Sequence, residues 1–347
     1  IYAPKEDRRK KVRYSQIKSV DQIVMDRQSD FSAKEAYYPV SQTMFFFDKE
    51  SVRELELADD KDILIIARPC DINAIRRLDN IFEKNGGNAD TFYTRLRDKV
   101  KFIMLECNGG FDNCFCVSMG SNKTDDYVAA IKIDGDCVSV DVKCDCMSQC
   151  FEDADSADYT PAFVEENKKA MVVPAIEKGS LAAISKLEYW NQFDEKCMAC
   201  GGCNTVCGTC SCFDTVDVIY NEGSRDGERR RVWSSCMLES FTETAGGARS
   251  RKTAGANMRF KVFHKFYDYN ARFEAGENMC VGCGRCLAVC AKNVIAANFS
   301  DSIAVLNYKM AEYALAVCKD RPTFHISLIC QRLSHSGISI YQSYFLP

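Results

Sequence analysis

Apolar residues along this chain fall into two periods. Thr43-Met44-Phe45-Phe46-Phe47 is a short apolar run ending at Asp48, and it predicts a buried strand. Ile63-Leu64-Ile65-Ile66-Ala67 is a second run, β-branched and bounded by Arg68-Pro69, and it predicts the central strand of a sheet. The period then changes. Asp71 is positioned to cap a helix whose apolar residues Ile72, Ile75, Leu78, Ile81 and Phe82 lie three and four apart, ending before Gly86-Gly87. Val100 to Leu105 returns to strand, and strand–helix–strand in this order predicts a parallel α/β pairing. Tyr127 to Ile133 and Val138 to Val142, split by Asp134-Gly135, predict a hairpin. The first thirty residues are basic and weakly periodic, and read as a solvated surface segment.

From Leu181 the character shifts. Leu181 to Phe193 is amphipathic at helical spacing, with Ser180 as its cap. Glu222 to Arg231 is polar and contains glycine, which predicts a linker or surface loop. Arg259 to Tyr269 predicts another helix with Phe260, Phe263, Phe266 and Tyr267 on one side, and Ser302 to Lys319 a further one.

Composition narrows the class. The 347 residues leave room for two domains, and 46% apolar with 27% charged residues describes a globular chain. A formal charge of −4 gives no reason to invoke nucleic acid or a membrane surface. No apolar run approaches the roughly 18–20 residues of a membrane span. The 21 cysteines, in a chain whose sequence shows no signal peptide, are better explained by metal ligation in the cytoplasm than by a disulfide scaffold.

The spacing of those cysteines carries the chemistry. Cys280, Cys283, Cys286 and Cys290 follow C-x2-C-x2-C-x3-C, and Cys197, Cys200, Cys203 and Cys207 repeat it upstream. A duplicated motif of this form is the ligand pattern of a two-cluster bacterial ferredoxin. Three thiolates wrap one [4Fe–4S] cube, while the fourth, on the departing helix, reaches the other cube. The expected sets are therefore Cys197, Cys200, Cys203 with Cys290, and Cys280, Cys283, Cys286 with Cys207. Gly201, Gly202, Gly282 and Gly284 suit a backbone that approaches inorganic sulfide closely. Zinc sites and disulfides are the competing uses, although zinc more often takes two C-x2-C pairs with a longer gap. These features predict an α+β or α/β N-terminal domain over 1–175, followed over 176–347 by a mainly helical, ferredoxin-like dicluster domain.

Other thiols remain. Cys210, Cys212 and Cys236 read as buried neighbours of the clusters or alternative ligands, while Cys137, Cys144, Cys146, Cys150, Cys318 and Cys330 read as ordinary cysteines. Cys70 and Cys107 close two strands expected to be neighbours, at the carboxyl edge where α/β ligand sites form, and Cys114 and Cys116 follow on the next loop. These four are candidates for a third iron–sulfur cluster. A zinc ion, a sulfur-rich edge without metal, or a surface for a partner's cofactor would use the same thiols. No G-x-G-x-x-G or P-loop is present, and His264, His325 and His335 are scattered and read as structural, so no catalytic site of the chain's own is expected. Arg229-Arg230-Arg231 reads as a partner-docking run, a group tuning a cluster, or a solvated run.

The chain resembles the A subunit family of anaerobic sulfite reductase, itself related to the β subunits of cytoplasmic sulfhydrogenases. The resemblance rests on Phe45-Phe46-Phe47-Asp48, Ala67-Arg68-Pro69-Cys70-Asp71-Ile72-Asn73-Ala74, Glu106-Cys107 with Asn113 to Lys123, and Asp158-Tyr159-Thr160-Pro161. Gly227 to Arg231 with Trp233 to Met237, and Met279 to Cys286, extend it to most of the chain. It implies a non-catalytic iron–sulfur subunit relaying electrons from a flavin subunit that oxidises NADH to a siroheme subunit that reduces sulfite to sulfide. The β subunit of a hydrogenase is the alternative it implies. Where such motifs carry proline after the fourth cysteine, this chain has Gly208 and Ala291, and nothing after Cys290 resembles the family.

Overall fold

The computed structural model describes residues 1–55, 61–107, 109–135, 137–168, 171, 176 and 178–292. The expected helix from Ser302 to Lys319, and Cys318, Cys330, His325 and His335, lie outside the described residues. Along the first half run β1 (Tyr2–Glu6), β2 (Val12–Gln16), β3 (Ser41–Phe47), β4 (Val52–Glu54), β5 (Ile63–Ala67), α1 (Pro69–Glu83) and α2 (Thr91–Arg97). β6 (Val100–Leu105), β7 (Ala129–Asp134), β8 (Cys137–Val142) and α3 (Asp145–Ser148) complete it. The second half holds α4 (Leu181–Ser185), α5 (Gln192–Lys196), α6 (Gly202–Thr205), β9 (Phe213–Ile219) and β10 (Gly227–Trp233). It ends in α7 (Ala254–Phe263), α8 (Tyr269–Phe273) and α9 (Arg285–Val289).

The apolar run at β5 takes the centre of a six-stranded sheet ordered β2-β1-β5-β6-β7-β8. β5 pairs in parallel with β6, Ile63 opposite Val100 and Ala67 opposite Met104, as the strand–helix–strand pattern predicts. β7 and β8 form the expected antiparallel hairpin. Both faces of β5 are covered, which is why its run is continuously apolar. On one face Ile65 and Ala67 meet Ile72, Ile75, Leu78 and Phe82 of α1 with Tyr93 of α2. On the other, Ile66 packs with Ala3, Ile103, Leu105, Ala129 and Ile131. Burying each large aliphatic side chain contributes about 1.5–3 kcal/mol.

The basic N-terminus is not a loose surface segment. β1 and β2 form an antiparallel hairpin, and β1 lies parallel to β5. Val12 and Tyr14 are buried with Ala3, while the intervening Arg13 turns outward to Glu35, so the charged face concealed the strand period. The segment between the cysteine motifs is likewise not mainly helical. β9 and β10 form a hairpin, and β10 pairs with β3 to give a second sheet ordered β4-β3-β10-β9. The polar stretch read as a loop runs into a strand because its charges alternate. Arg229 makes a bidentate pair with Asp217 across the hairpin at 2.7 Å, whereas Arg231 turns inward to Asp90 and Gln42, both at 2.8 Å. Arg230 pairs with Glu228, so all three arginines already hold partners within the chain.

Arg68, rather than Asp71, is the N-cap of α1, and Pro69 opens the first turn, where a missing N–H costs nothing. Asp71 is released for another partner. Its carboxylate takes two bonds from Arg285, Nη1 to Oδ1 and Nη2 to Oδ2, each 2.7 Å, and one from the Tyr14 hydroxyl at 2.9 Å. Arg285 also donates to the Ser29 carbonyl at 2.9 Å and its hydroxyl at 2.7 Å. Asp71 and Arg285 are 1% and 3% exposed, which takes this pair out of the class of weak surface bridges. Burial opposes the charge of Arg285, but Asp71 overrides it and drives the guanidinium pKa upward. Replacing Asp71 by alanine would leave that charge buried without compensation, so we expect a loss of about 3–5 kcal/mol in anaerobic urea denaturation. A loss below about 1 kcal/mol would mean that the pair does not hold the two halves together.

Candidate functional site

Each cysteine motif is a loop closed by one short helix. In the first, Cys197 caps the end of α5, Ala199 and Gly201 take positive φ of 50° and 75°, Cys203 lies in α6 and Cys207 follows it. In the second, Gly282 and Gly284 have φ of 63° and 73°, Cys286 lies in α9 and Cys290 caps its end. The two motif helices pack against each other. A small cavity beside them is lined by Cys197, Cys200, Cys203 and Cys290, with Met237 and Met258. The Cys207 thiol falls with the opposite set, near enough to Cys280, Cys283 and Cys286 to disturb the ionisation of all three. Burial pushes the Cys280 thiol up to about 12 and raises Cys283 and Cys286 as well. Cys290 thus lines one cavity with Cys197, Cys200 and Cys203, while Cys207 lies near Cys280, Cys283 and Cys286.

α7 passes behind both groups. Its buried positions include Met258, Lys261 and Val262, followed at the same helical period by Lys265, Phe266 and Tyr269, while Phe260 is 40% exposed. Two lysines therefore occupy a face that an apolar count assigns to phenylalanines. Sequence reading missed them, although their spacing of four residues with Met258 and Val262 was the available signal. Lys265 Nζ donates to the Thr209 carbonyl and hydroxyl at 2.8 Å each. Lys261 Nζ is buried with no oxygen or nitrogen acceptor and interacts instead with the thiol of Cys203, close to those of Cys286 and Cys207. Burial works against its charge, but Cys203 and Cys286 outweigh it and raise its pKa. Between α7 and α8 the helix widens into a π turn, His264–Asp268, of the kind found at functional sites. There the Lys265 carbonyl accepts from the N–H groups of Met279 and Cys280, at 3.0 and 3.4 Å, and so fixes the entry to the second motif. His264 pairs with Asp268 at 3.1 Å, a structural role.

The four N-terminal thiols lie around Cys116. Cys70 sits in the first turn of α1 rather than at the end of β5, because Pro69 starts the helix one residue earlier. Cys107 follows β6, and Cys114 and Cys116 stand on the next loop. Cys116 lies within electrostatic reach of Cys70, Cys107 and Cys114. Burial pushes Cys114 up to about 12 and raises Cys70 and Cys116. Two amides face these sulfurs as donors, Asn167 Nδ2 at 3.5 Å from Cys116 and Gln28 Nε2 at 3.9 Å from Cys114.

This group abuts the second motif. The Phe115 N–H donates to the Gly282 carbonyl at 2.8 Å, the Ser121 hydroxyl to the Val281 carbonyl at 2.5 Å, and Gln28 Nε2 to the Cys283 carbonyl at 2.6 Å. A Cβ on Gly282 would stand 2.5 Å from the Phe115 carbonyl oxygen, and one on Gly284 would collide with the Asn113 carbonyl. The second motif's glycines therefore make room for the Cys114–Cys116 loop, a requirement additional to the sulfide approach expected of them.

Cys210, Cys212 and Cys236 form a third gathering, in which Cys212 acts on both of the others. Cys212 holds the Cys236 thiol below its usual value, and Asn204 Nδ2 donates to its sulfur at 3.1 Å. Lys34 completes this wall, donating to the Cys210 carbonyl at 3.0 Å with its ammonium 3.9 Å above the Trp233 ring. Of the remaining thiols, Cys137 and Cys150 are exposed, and Cys144 and Cys146 are joined as a disulfide. Among the described residues, no three His, Cys, Asp or Glu side chains have the geometry to hold a bare metal ion. Nor is any described helix long and apolar enough to cross a membrane.

Comparison with known proteins agrees on the cysteine motifs. Residues 196–294 match the 4Fe-4S dicluster domain family, a span that includes all eight motif cysteines. The chain is also similar to sulfhydrogenase 2 subunit beta of Pyrococcus furiosus, 28% identical over 294 residues that cover 80% of this chain and 84% of the relative. No solved structure matches.

Proposed function

We propose that this chain is an iron–sulfur electron-transfer subunit of a multi-subunit oxidoreductase, built from units at 1–175 and 176–347. What carries the reading is the crossed grouping of the eight motif thiols within a stretch that matches a 4Fe-4S dicluster domain. The donor set fits [4Fe–4S] clusters: thiol side chains, a buried ammonium at Lys261 beside the motif thiol Cys203, and an N–H from Gly282 to the Cys280 sulfur at 3.4 Å. Cys197, Cys200, Cys203 and Cys290 would hold one cluster, and Cys280, Cys283, Cys286 and Cys207 the other. When bound, the clusters supply reversible one-electron storage. The chain's own residues would donate hydrogen bonds to their ligands and set their electrostatic field.

Two assemblies accommodate such a subunit. Similarity to a sulfhydrogenase beta subunit favours a hydrogenase-type complex. The sulfite-reducing arrangement, with flavin and siroheme partners, draws on the motif segments alone. Purification of the native complex, with its prosthetic groups identified, separates them: nickel in a partner subunit supports the first and siroheme the second. A chain that purifies with no partner at all contradicts both.

The N-terminal thiols extend the relay. What supports this is Cys116 within electrostatic reach of Cys70, Cys107 and Cys114, the amide donors of Asn167 and Gln28, and the contact of this loop with the second motif. We propose that these four thiols hold a third cluster. Anaerobically isolated chain should then contain about twelve irons, four for each of three clusters. Serine at both Cys70 and Cys107 should reduce that to about eight, whereas about eight irons before and after the replacement would mean that the N-terminal thiols hold no cluster.

Lys261 generates the second expectation. Its buried charge faces both motif groups and stabilises whichever bears the added electron. Lys261→Met should lower the reduction potentials of the two motif clusters by roughly 50–100 mV, about 1–2 kcal/mol each, in an EPR-monitored titration. Potentials unchanged at full iron content would show that solvent, rather than this ammonium, sets the field.

A further inference from the structure

A cavity of about 670 Å³ opens at the carboxyl edge of the parallel strands, separate from the motif groups. Its walls come from the residues that leave β5 and β6, from β7, and from the Met25–Arg27 segment. The size falls within the roughly 300–1,000 Å³ of small-molecule sites, and the carboxyl edge of parallel strands is where α/β sheets bind ligands. Arg68 marks its inner wall. This residue is 4% exposed, donates from Nη2 to the Met25 carbonyl at 2.9 Å, and holds its guanidinium 4.9 Å above the Phe111 ring. Nη1 is buried with no hydrogen-bond partner. Leaving a charged donor buried and unsatisfied costs more than the roughly 1–3 kcal/mol of a neutral one, so an acceptor belongs there.

The acidic groups around the cavity do not supply it. Glu106 accepts from the Tyr159 hydroxyl at 2.8 Å and the Ala162 N–H at 3.2 Å, Asp112 pairs with Lys168 at 2.6 Å, and Asp26 is exposed. Lys132 adds a second, partly buried cation to the lining. Apolar surface from Leu105, Ile133 and Phe111 lies beside these charges. Of the four N-terminal thiols only Cys107 reaches this cavity, so its volume is not the space enclosed by that group.

We propose that the cavity is a binding site for a small organic anion, a carboxylate or a phosphate ester, whose oxyanion is received by Arg68 Nη1. Lys132 adds attraction, and the ring of Phe111 with the aliphatic wall takes the ligand's apolar part. Isothermal titration calorimetry on the anaerobically purified full chain tests this with three probes in turn: inorganic phosphate, citrate and adenosine monophosphate. At least one should bind with a dissociation constant at or below about 1 mM. Arg68→Met should weaken that probe roughly thirtyfold, equivalent to about 2 kcal/mol, at unchanged iron content. Arg68→Lys should restore part of the affinity. Lys168→Met, at the exposed rim, should change it by less than about threefold, as a screened and already paired charge does. If Arg68→Met does not fold, Lys132→Met takes its place and should weaken binding at least roughly fivefold, about 1 kcal/mol. Failure of all three probes to bind the wild type overturns the proposal. So does equal affinity in the Arg68 variant, or in the Lys132 variant where that one decides.

Discussion

The buried pair between Asp71 and Arg285 is the constraint on which the rest depends. Asp71 stands one residue after Cys70, and Arg285 lies between Cys283 and Cys286. Their two bonds of 2.7 Å therefore tie the first turn of α1 to the loop of the second motif. Everything nearby follows from that placement. The Cys114–Cys116 loop is pressed against Gly282 and Gly284, and Gln28 and Ser121 reach the carbonyls of Cys283 and Val281. Arg77 and Asn80, further along α1, repeat the attachment through Glu277 at 2.7 Å and Tyr269 at 2.6 Å. A buried ion pair adds little net stability against an apolar replacement, but it fixes geometry, because either partner left alone is penalised heavily. Here it sets the position of one thiol group against another.

Charge management is the second theme. Thiols packed together in a low-dielectric interior resist ionisation, as the raised pKa values of Cys280, Cys283 and Cys286 show. Lys34, Lys261 and Lys265 are buried among them and offset the negative charge that thiolate ligation and reduction bring. Lys34 and Lys265 have oxygen acceptors, while Lys261 has only thiols beside it, Cys203 first among them. A buried ammonium whose partners are thiols makes physical sense where those thiols carry negative charge.

Local patterns were legible from sequence and distant pairings were not. The C-x2-C-x2-C-x3-C spacing encodes its own loop and helix, and the β5–α1–β6 order encodes its parallel pairing, so both could be read directly. The same topology led to the expectation that Cys70 and Cys107 stand at one edge of the sheet. In contrast, β10 was hidden because Arg229, Arg230 and Arg231 resemble a solvated run until Asp217, Glu228 and Asp90 are brought beside them. The inward face of α7 was misassigned because Lys261 and Lys265 occupy its apolar period. That Gly282 and Gly284 accommodate another loop depends on contacts with residues far away in the chain, which no local pattern carries.

The crossed grouping of thiols is the central claim, and cluster-resolved EPR of the reduced chain tests it most directly. Serine at Cys197 should remove or alter the signal of one cluster, and serine at Cys280 that of the other. The account predicts that Cys290→Ser disturbs the same signal as Cys197→Ser, and that Cys207→Ser disturbs the same signal as Cys280→Ser. The opposite assignment, with Cys290→Ser matching Cys280→Ser, would contradict it, as would a colourless protein carrying zinc in place of iron.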